Sequence, residues 1–377
     1  MSATPPTTKL SPDQAALRDL MRRLAEVTST DAPVLSVYVD VRPEAHGERP
    51  AARPERIAVR DRLNTIADSI EPHTDAGVSF VADRERIEAY LEESDLDGIE
   101  GLAAFACDRI GLWETLRSPV AFETQVSAGP TADLFGLARL LDESVAAVVA
   151  VVDTSTCRLF VTRHGDLRER PGRDEPSDEH KRHQQGGWSQ ARYQRHVDMQ
   201  DQRFAKEAAT AIERLVQRER PQHVILAGDE RAVSTLEGEV SEPVRALVDH
   251  VARIELRSSL DDVREEVRPI LAALEEADST DAGDRAIAGR RAGDLGVTGI
   301  DDTMAALEAG QVDQLVIDET APIEEELRGE LIRQAALTDA SVELVREHAG
   351  LLRHEGVGAT LRFRIEGDRS EGRLDHS

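Results

Sequence analysis

The residue types best suited to chemistry lie in residues 180–206, where a Gly-Gly-Trp-Ser turn at 186–189 leads directly into a long helical pattern. Gly186 and Gly187 lack a Cβ atom, so their backbone can adopt a positive φ and lie flat against another surface. Trp188, one of only two tryptophans, stands at the apex, and Ser189 is placed to cap the helix. The sequence therefore predicts a turn that presents its main chain at the start of a helix.

The helix predicted over residues 190–215 has two different halves. The second half carries an apolar face at spacings of four, four and three residues, which is typical of packing on a domain. This face consists of Phe204, Ala208, Ile212 and Leu215. The first half is polar on nearly every side, so about fourteen residues, roughly 20 Å of helix, should project into solvent. Because a short helix without a packing face is marginal alone, we expect a partner to hold it.

Positive charge is concentrated in this segment. The segment has six basic residues and only two acidic ones, Asp198 and Asp201. Its local net charge is therefore +4, in a chain whose formal net charge is -27. The basic residues are Lys181, Arg182, Arg192, Arg195, Arg203 and Lys206. Such concentration indicates a phosphate-rich partner. Composition alone is equally compatible with a solvated helix that follows a flexible glycine loop.

Two other clusters of polar residues are weaker candidates for a functional site. His180, His183 and His196 could be metal ligands, but a closed site needs a fourth ligand, so we expect solvated or RNA-facing histidines and no metal. Asp301 and Asp302 could form a carboxylate pair, although their place at a predicted helix start favours capping. The chain has no phosphate-binding loop, no dinucleotide fingerprint and no serine triad signature. We therefore predict no cofactor.

Four sequence blocks, in order, resemble the archaeo-eukaryotic class I peptide release factor and Pelota superfamily. QQGGWSQARYQRH (184–196) resembles the family's Gly-Gly-Gln-Ser loop and the helix after it, and PQHVILAGDE (221–230) is similar to its strand ending in Ala-Gly. GIDDTMAALEAGQVDQLVI (299–317) and HEGVGATLRFRI (354–365) resemble segments of its third domain. The resemblance is to a bacterial, Vms-like relative with Gly-Gly-Trp in place of Gly-Gly-Gln.

The resemblance implies hydrolysis of the ester that joins a peptide to tRNA, inside the peptidyl transferase centre of the ribosome. A backbone N–H of the turn would donate to the developing oxyanion while water attacks. The implied catalytic residues are Gly186, Gly187, Trp188 and Ser189. The implied RNA-binding residues are Lys181, Arg182, Gln185, Arg192, Arg195, His196 and Arg203, of which Arg192 and Arg195 would clamp phosphates.

Trp188 departs from the family pattern, because an indole offers one N–H donor and no acceptor beside the attacking water. An indole stacks well on a base, so the loop could bind the centre without hydrolysis, while the N–H of residue 188 is kept. Three functions remain open. They are rescue of stalled ribosomes by peptide release, non-hydrolytic binding of the ribosomal A site in a way that resembles Pelota or the hibernation factor Balon, and RNA binding unconnected to the ribosome. The expected partners are the ribosome, tRNA and rRNA, with a translational GTPase as a further candidate.

The alternation of helical and strand patterns predicts an α/β fold in three domains. These are an N-terminal α/β domain at 1–140, a central α/β sheet domain at 141–258 with the protruding loop and long helix, and a C-terminal α-β-α sandwich at 259–366 that resembles the family's third domain. A charged tail follows at 367–377. The codon-reading motifs of release factors, Asn-Ile-Lys-Ser and Tyr-x-Cys, are missing from the first domain, so nothing indicates codon recognition or the ligand of this domain.

Several local features complete the prediction. A helix at 260–276, kinked at Pro269, is expected to lead into a mobile connection at 277–296, and residues 168–185 read as a charged loop. Helix 56–70 should bury Ile57, Leu63, Ile66 and Ile70 on one face. Cys107 lies in an apolar strand and should be part of the core. With two cysteines, no apolar run of membrane-spanning length and no signal-peptide pattern, the sequence indicates a cytoplasmic protein.

Overall fold

The computed structural model describes residues 14–42, 54–94, 96, 99–142, 146–163, 166–170 and 190–363; of residues 54, 163, 166, 190–198, 200 and 250–252 it describes the backbone only. These residues form a mixed α/β fold with three sheets. Contacts divide the chain into two compact units. One combines Met1–Asp142 with Ala277–Ser377, and the other is Glu143–Glu276.

The first sheet is an antiparallel sheet of four strands in the order β3-β2-β1-β4. The strands and the helices that pack on them are α1 Gln14–Ala25, β1 Val34–Asp40, α2 Pro54–Ala67, α3 Asp75–Glu93, β2 Gly101–Cys107, β3 Leu112–Ser118, β4 Gln125–Gly129 and α4 Phe135–Asp142. Alternate residues of β1 point to opposite faces. Val37 packs under α2 and α3, whereas Tyr38 packs under α1 and α4. Both faces are therefore covered by helices.

The sheet of the second unit has five strands in the order β7-β6-β5-β8-β9. Its elements are β5 Ala147–Val152, β6 Cys157–Arg163, β7 Asp166–Arg170, α5 Gln190–Glu219, β8 His223–Gly228, α6 Glu230–Glu239, α7 Glu242–Arg245 and β9 Val248–Ala252. Strands β5, β8 and β9 are parallel, while β5, β6 and β7 form an antiparallel meander. Strand β5 is buried throughout, as its continuous apolar sequence predicts. Helices α5 and α6 cover one face, and α8 Leu260–Ala292 covers the other with Val263 and Val267.

The third sheet has the order β10-β13-β11-β12 and forms the predicted α-β-α sandwich. Its elements after α8 are β10 Gly296–Thr298, α9 Ile300–Glu308, β11 Val312–Asp318, α10 Glu325–Leu337, β12 Ser341–Val345, α11 Ala349–Leu352 and β13 Val357–Leu361. Leu307 and Leu331, from α9 and α10, pack on one face of the sheet. Ala282 and Ile287 of α8 pack on the other face with Leu351 of α11.

The first and third sheets belong to the same compact unit and share one apolar core, which includes Leu17, Leu137 and Leu331. Polar contacts connect the same segments. The Arg333 guanidinium donates to the Ala25 carbonyl at 3.1 Å, and the Leu344 N–H donates to the Asp142 carboxylate at 3.1 Å. The structure thus joins the segments assigned above to the first and third domains, and the three-domain division with its boundaries stays a prediction.

Helix α8 corrects the expectation of a mobile connection at 277–296. The helix continues through Pro269 to Ala292, because Ala282, Ala286 and Ile287 supply a second buried face where the sequence suggests only polar and small residues. Residues 168–170, the described part of the loop predicted at 168–185, also form regular structure, because they belong to β7 and pair with β6.

Two further expectations about helices were wrong. Ile57 is 54% exposed and Val59 is buried instead, whereas Leu63 is buried as predicted and Ile66 and Ile70 pack against the same cluster. Asp301 and Asp302 lie in the first turn of α9, where negative charge suits the helix dipole, but neither is the capping residue, because this helix begins at Ile300 and its N-cap position is Gly299. The carboxylate of Glu355 accepts a hydrogen bond from the Ile300 N–H at 3.0 Å in their place. The prediction that Cys107 is part of the core is confirmed, since its side chain is fully buried.

Candidate functional site

The predicted loop lies outside the described residues, and this applies to Lys181, Arg182, Gln185, Gly186, Gly187, Trp188 and Ser189, as well as to His180 and His183. Arg192, Arg195 and His196 belong to the backbone of α5, but their side chains are not described. The Arg203 side chain is 83% exposed and forms a 3.4 Å ion pair with Glu207. The structure therefore places four of the predicted RNA-binding residues on one helix, which begins one residue after Ser189.

The second half of α5 packs on its sheet as the sequence predicts. Ala208, Ile212 and Leu215 are buried in one core cluster with β5, β8 and α6, and Phe204 is half-buried. Small residues at Ala205 and Ala209 are buried as well. Alanine at these positions lets the helix approach the sheet closely, so this half fixes the direction of the whole helix.

Two ion pairs connect α5 to α6 where the packed half begins. Asp201 lies 3.3 Å from Arg231, and Lys206 lies 3.9 Å from Glu239. Among the described side chains of α5, Met199 is the most N-terminal and is 69% exposed. From Gln190 to Asp201 the helix extends over about 17 Å at 1.5 Å per residue. We call the part of α5 from residue 190 to residue 200 the arm.

The arm starts from the carboxyl edge of the parallel strands. Because α5 ends where β8 begins, it runs antiparallel to β8, and its N-terminal end lies at the edge where β5 and β8 end. Ligands of α/β sheets commonly bind at this edge. A shallow cleft that is open to solvent lies there, at the base of the arm. It is lined by the loop after β5, by Asp201, Phe204 and Ala208 of α5, and by Arg231 and Thr235 of α6.

Gly228 sets the geometry of this edge. Its φ is 120°, and a Cβ atom there would lie 2.0 Å from the Val152 carbonyl oxygen. The next residue donates from its N–H to the same oxygen at 2.9 Å. The Asp229 carboxylate then caps α6 by accepting from the N–H groups of Arg231 and Ala232 at 3.1 and 3.0 Å. The Ala-Gly strand end thus positions the α6 residue that pairs with Asp201.

We expect Gly228→Ala to lower the free energy of unfolding by about 3 kcal/mol or more, because the added Cβ clashes with β5 and because alanine disfavours this φ. Gly238→Ala is the matched control, since a Cβ at this helical position meets nothing within 4 Å. Urea denaturation of both variants measures the difference. Equal stability of the two variants would contradict the close approach of β8 to β5.

The described ionisable groups of this unit include a buried thiol and a carboxylate that is paired with an arginine. Burial raises the pKa of the Cys157 thiol to about 12, which leaves no thiolate nucleophile at neutral pH. The hydrogen bond from Arg158 lowers the pKa of Glu169, a carboxylate on β7. Within the described residues, no three His, Cys, Asp or Glu side chains are grouped as metal ligands would be.

Sequence reasoning missed one histidine–carboxylate pair. His223 Nδ1 lies 2.6 Å from an Asp249 oxygen, and the His223 ring is buried. The pair is at the amino ends of β8 and β9, at the sheet edge opposite to the cleft. The two residues are 26 positions apart, and only the parallel pairing of β8 with β9 brings them together. Helices long and apolar enough to cross a membrane are absent from the described part of the chain.

One protein family matches the segment that contains these features. Residues 134–278 match bacterial archaeo-eukaryotic release factor family 10. The matched segment contains the five-stranded sheet, α5 with its arm and the Gly-Gly-Trp loop, and it ends inside α8. The match supports the release factor superfamily for this part of the chain. No curated protein matches the sequence significantly.

Solved structures of translation factors also align with the chain, at low similarity. The archaeal translation termination factor aRF1 is 18% identical, with 93% of this chain and 99% of that chain covered and a TM-score of 0.27. Pelota of Archaeoglobus fulgidus is 14% identical, with 93% of each chain covered and a TM-score of 0.36. Dom34 of S. cerevisiae is 10% identical, with 71% and 80% covered and a TM-score of 0.41.

Proposed function

We propose that this protein is a release-factor-like translation factor that rescues stalled ribosomes by hydrolysing the peptidyl-tRNA ester. The observation that carries the proposal is the match of residues 134–278 to a bacterial release factor family. The matched segment is also the segment in which sequence reasoning places a Gly-Gly loop at the start of a long helix. The proposal assigns the protein to the cytoplasm, where it would meet ribosomes.

The anchoring of α5 supports a loop that reaches into a cavity. Ile212 and Leu215 hold the second half of the helix in the core, and the Asp201–Arg231 pair fixes its base on α6. The arm then carries the start of the helix about 17 Å beyond this base. A loop on such a support can enter a narrow site while the sheet stays outside.

Charge supports an RNA environment for the arm and the loop. The local net charge of +4 over residues 180–206 stands against -27 for the chain, so attraction to phosphates is confined to this segment and other local surfaces. Arg192 and Arg195 are proposed to pair with rRNA or tRNA phosphates, since guanidinium groups bind phosphate oxygens in a bidentate manner. Lys181, Arg182 and Arg203 would add to this attraction.

The proposed chemistry uses the main chain of the loop. Gly186 and Gly187 allow the backbone to approach the ester, and the N–H of residue 188 donates to the oxyanion that forms when water attacks the carbonyl carbon. A bond forms between the water oxygen and this carbon, and the bond to the ribose oxygen breaks. One proton of the water moves to the ribose oxygen and the other to solvent, which yields a free peptide carboxylate and a deacylated tRNA. Ser189 is proposed to fix the loop on the first turn of α5.

Trp188 favours a second candidate function, in which the protein binds the ribosomal A site without hydrolysis. An indole cannot accept a hydrogen bond from the attacking water, but it stacks on nucleotide bases. Under this alternative the loop occupies the peptidyl transferase centre and prevents its use, as a hibernation factor would. A translational GTPase is a proposed partner under either function.

The substitution Trp188→Gln separates the two functions. If the protein is a release factor, we expect the variant to release peptide from purified ribosome–nascent chain complexes at least about tenfold faster than the natural chain, because the amide places a hydrogen-bond acceptor beside the water. Trp188→Ala is the control, and it should not gain activity. Co-sedimentation with ribosomes and no release by any of the three chains would establish the binding function, whereas no co-sedimentation would contradict both.

A further inference from the structure

Three arginines lie together at the end of α8 and after α11. Arg290 and Arg291 occupy the last turn of α8, and Arg353 follows α11 directly. All three are exposed. The Arg290 guanidinium lies 3.0 Å from Nδ1 of His354, the residue after Arg353. We call Arg290, Arg291, Arg353 and His354 the arginine cluster.

The arginines of the cluster have no carboxylate partner within the described residues. Other arginines of the same unit do have one: Arg333 lies 2.8 Å from Glu330, and Arg346 lies 2.7 Å from Glu319. Two acidic residues, Asp294 and Glu355, flank the cluster in sequence. In the described part of the chain neither forms an ion pair with it, and the Glu355 carboxylate binds the N-terminal end of α9. Within the described residues, the cluster is therefore a positive surface without a carboxylate partner, on a chain that is strongly acidic.

The charges of all three arginines act on the His354 imidazole. Burial lowers the pKa of the His354 imidazole, and the charges of Arg290, Arg291 and Arg353 lower it further. A neutral imidazole can accept a hydrogen bond from Arg290 and so holds this guanidinium beside the other two. A basic residue at a helix C-terminus is favourable because of the helix dipole, but that effect does not explain three neighbouring arginines, which repel one another.

We infer that the arginine cluster is a binding surface for the phosphate backbone of RNA, separate from the arm. Guanidinium groups suit phosphates because their planar N–H forks match two phosphate oxygens. Neighbouring phosphates are also closely spaced, so three arginines on one small surface can be neutralised together. The described carboxylates nearby leave these arginines unpaired, which favours an external anion. The inference does not depend on peptide release.

The test uses the full chain and fluorescein-labelled single-stranded RNA of twenty nucleotides. The triple variant Arg290→Glu, Arg291→Glu, Arg353→Glu should bind this RNA at least about tenfold more weakly than the natural chain at low salt. The slope of log Kd against log salt concentration should fall by about 2, since each phosphate neutralised on a single strand contributes roughly 0.7 to this slope. Fluorescence anisotropy between about 50 and 200 mM salt measures both quantities.

A matched control carries the same change of charge elsewhere. Arg18, Arg60 and Arg214 are exposed and have no ion pair within the described residues, so their triple change to Glu should leave RNA binding within about twofold of the natural chain. Circular dichroism and thermal unfolding check that each variant is folded.

Two results would overturn the inference. If the two triple variants weaken RNA binding equally, net charge rather than the arginine cluster determines affinity. The second result is that labelled poly-glutamate binds the natural chain as tightly as RNA does, and that the cluster variant binds both ligands equally weakly. The surface would then recognise acidic protein. Leu295 and Leu352, which are 41% and 40% exposed, would in that case belong to a protein interface.

Discussion

Replacing both Gly186 and Gly187 by alanine is expected to lower the rate of peptide release by at least about a hundredfold, the range found when one oxyanion donor is removed from an enzyme. The Cβ atoms restrict the φ angles of the loop and separate its main chain from the ester. The loop lies outside the apolar patterns from which the sequence predicts cores, so stability should be unchanged. Single-turnover release from ribosome–nascent chain complexes measures the rate.

The matched control changes two other glycines to alanine. A Cβ atom at Gly238 or Gly329 meets nothing within 4 Å, and both residues lie in helices, α6 and α10. Gly238→Ala with Gly329→Ala should therefore release peptide at the natural rate, with equal or slightly higher thermal stability. Undiminished release by the Gly186 and Gly187 variant would show that the loop is not the active element.

Changing Arg192 and Arg195 to glutamate is expected to weaken ribosome association by at least about thirtyfold at physiological salt. The variant can no longer neutralise two phosphates, and it places two negative charges against RNA. Association of the natural chain should itself weaken as salt rises, with a steeper dependence than that of the variant. Co-sedimentation with purified ribosomes over a series of salt concentrations measures both effects.

Arg18→Glu with Arg214→Glu provides the same change of net charge on exposed positions without a described ion pair. Arg214 also lies on α5, in its packed half, so this control tests whether position on the helix matters. We expect it to retain at least half of the natural affinity. Salt-insensitive association of the natural chain, or equal weakening in the two double variants, would contradict phosphate binding by the arm.

The sequence predicts the central sheet and α5 well, because the relevant signals are local. The continuous apolar run of β5 indicates a strand buried on both faces, and the Ala-Gly end of β8 falls at a glycine with a positive φ. The spacing of Ala208, Ile212 and Leu215 identifies the packed face of α5. The period of the apolar residues and the length of the segment are sufficient to predict such elements.

The errors arise where distant parts of the chain decide the outcome. Polar and small residues at 277–296 suggest a connection, yet Ala282 and Ile287 pack against Leu351 from a later helix. Asp301 is a good capping residue by type, but Glu355 supplies the hydrogen bond to α9. The shared core of the first and third sheets depends on contacts between residues as far apart as Ala25 and Arg333, for which no local pattern exists.

The predicted site was only partly accessible from sequence patterns. Residue types identify the Gly-Gly loop and the charge of the arm, but they do not show what holds the arm at its base. The Asp201–Arg231 pair, the cap that Asp229 forms on α6 and the cleft beside them are three-dimensional features. They become visible only when β5, β8 and α5 are placed together.

The most direct test of the central claim is a cryo-electron microscopy map of the natural chain bound to a ribosome that carries peptidyl-tRNA. We predict that residues 186–188 lie in the peptidyl transferase centre, beside the ester at the end of the tRNA, with the arm between them and the five-stranded sheet. A map in which the bound protein holds Trp188 against its own sheet, away from that centre, would contradict the claim.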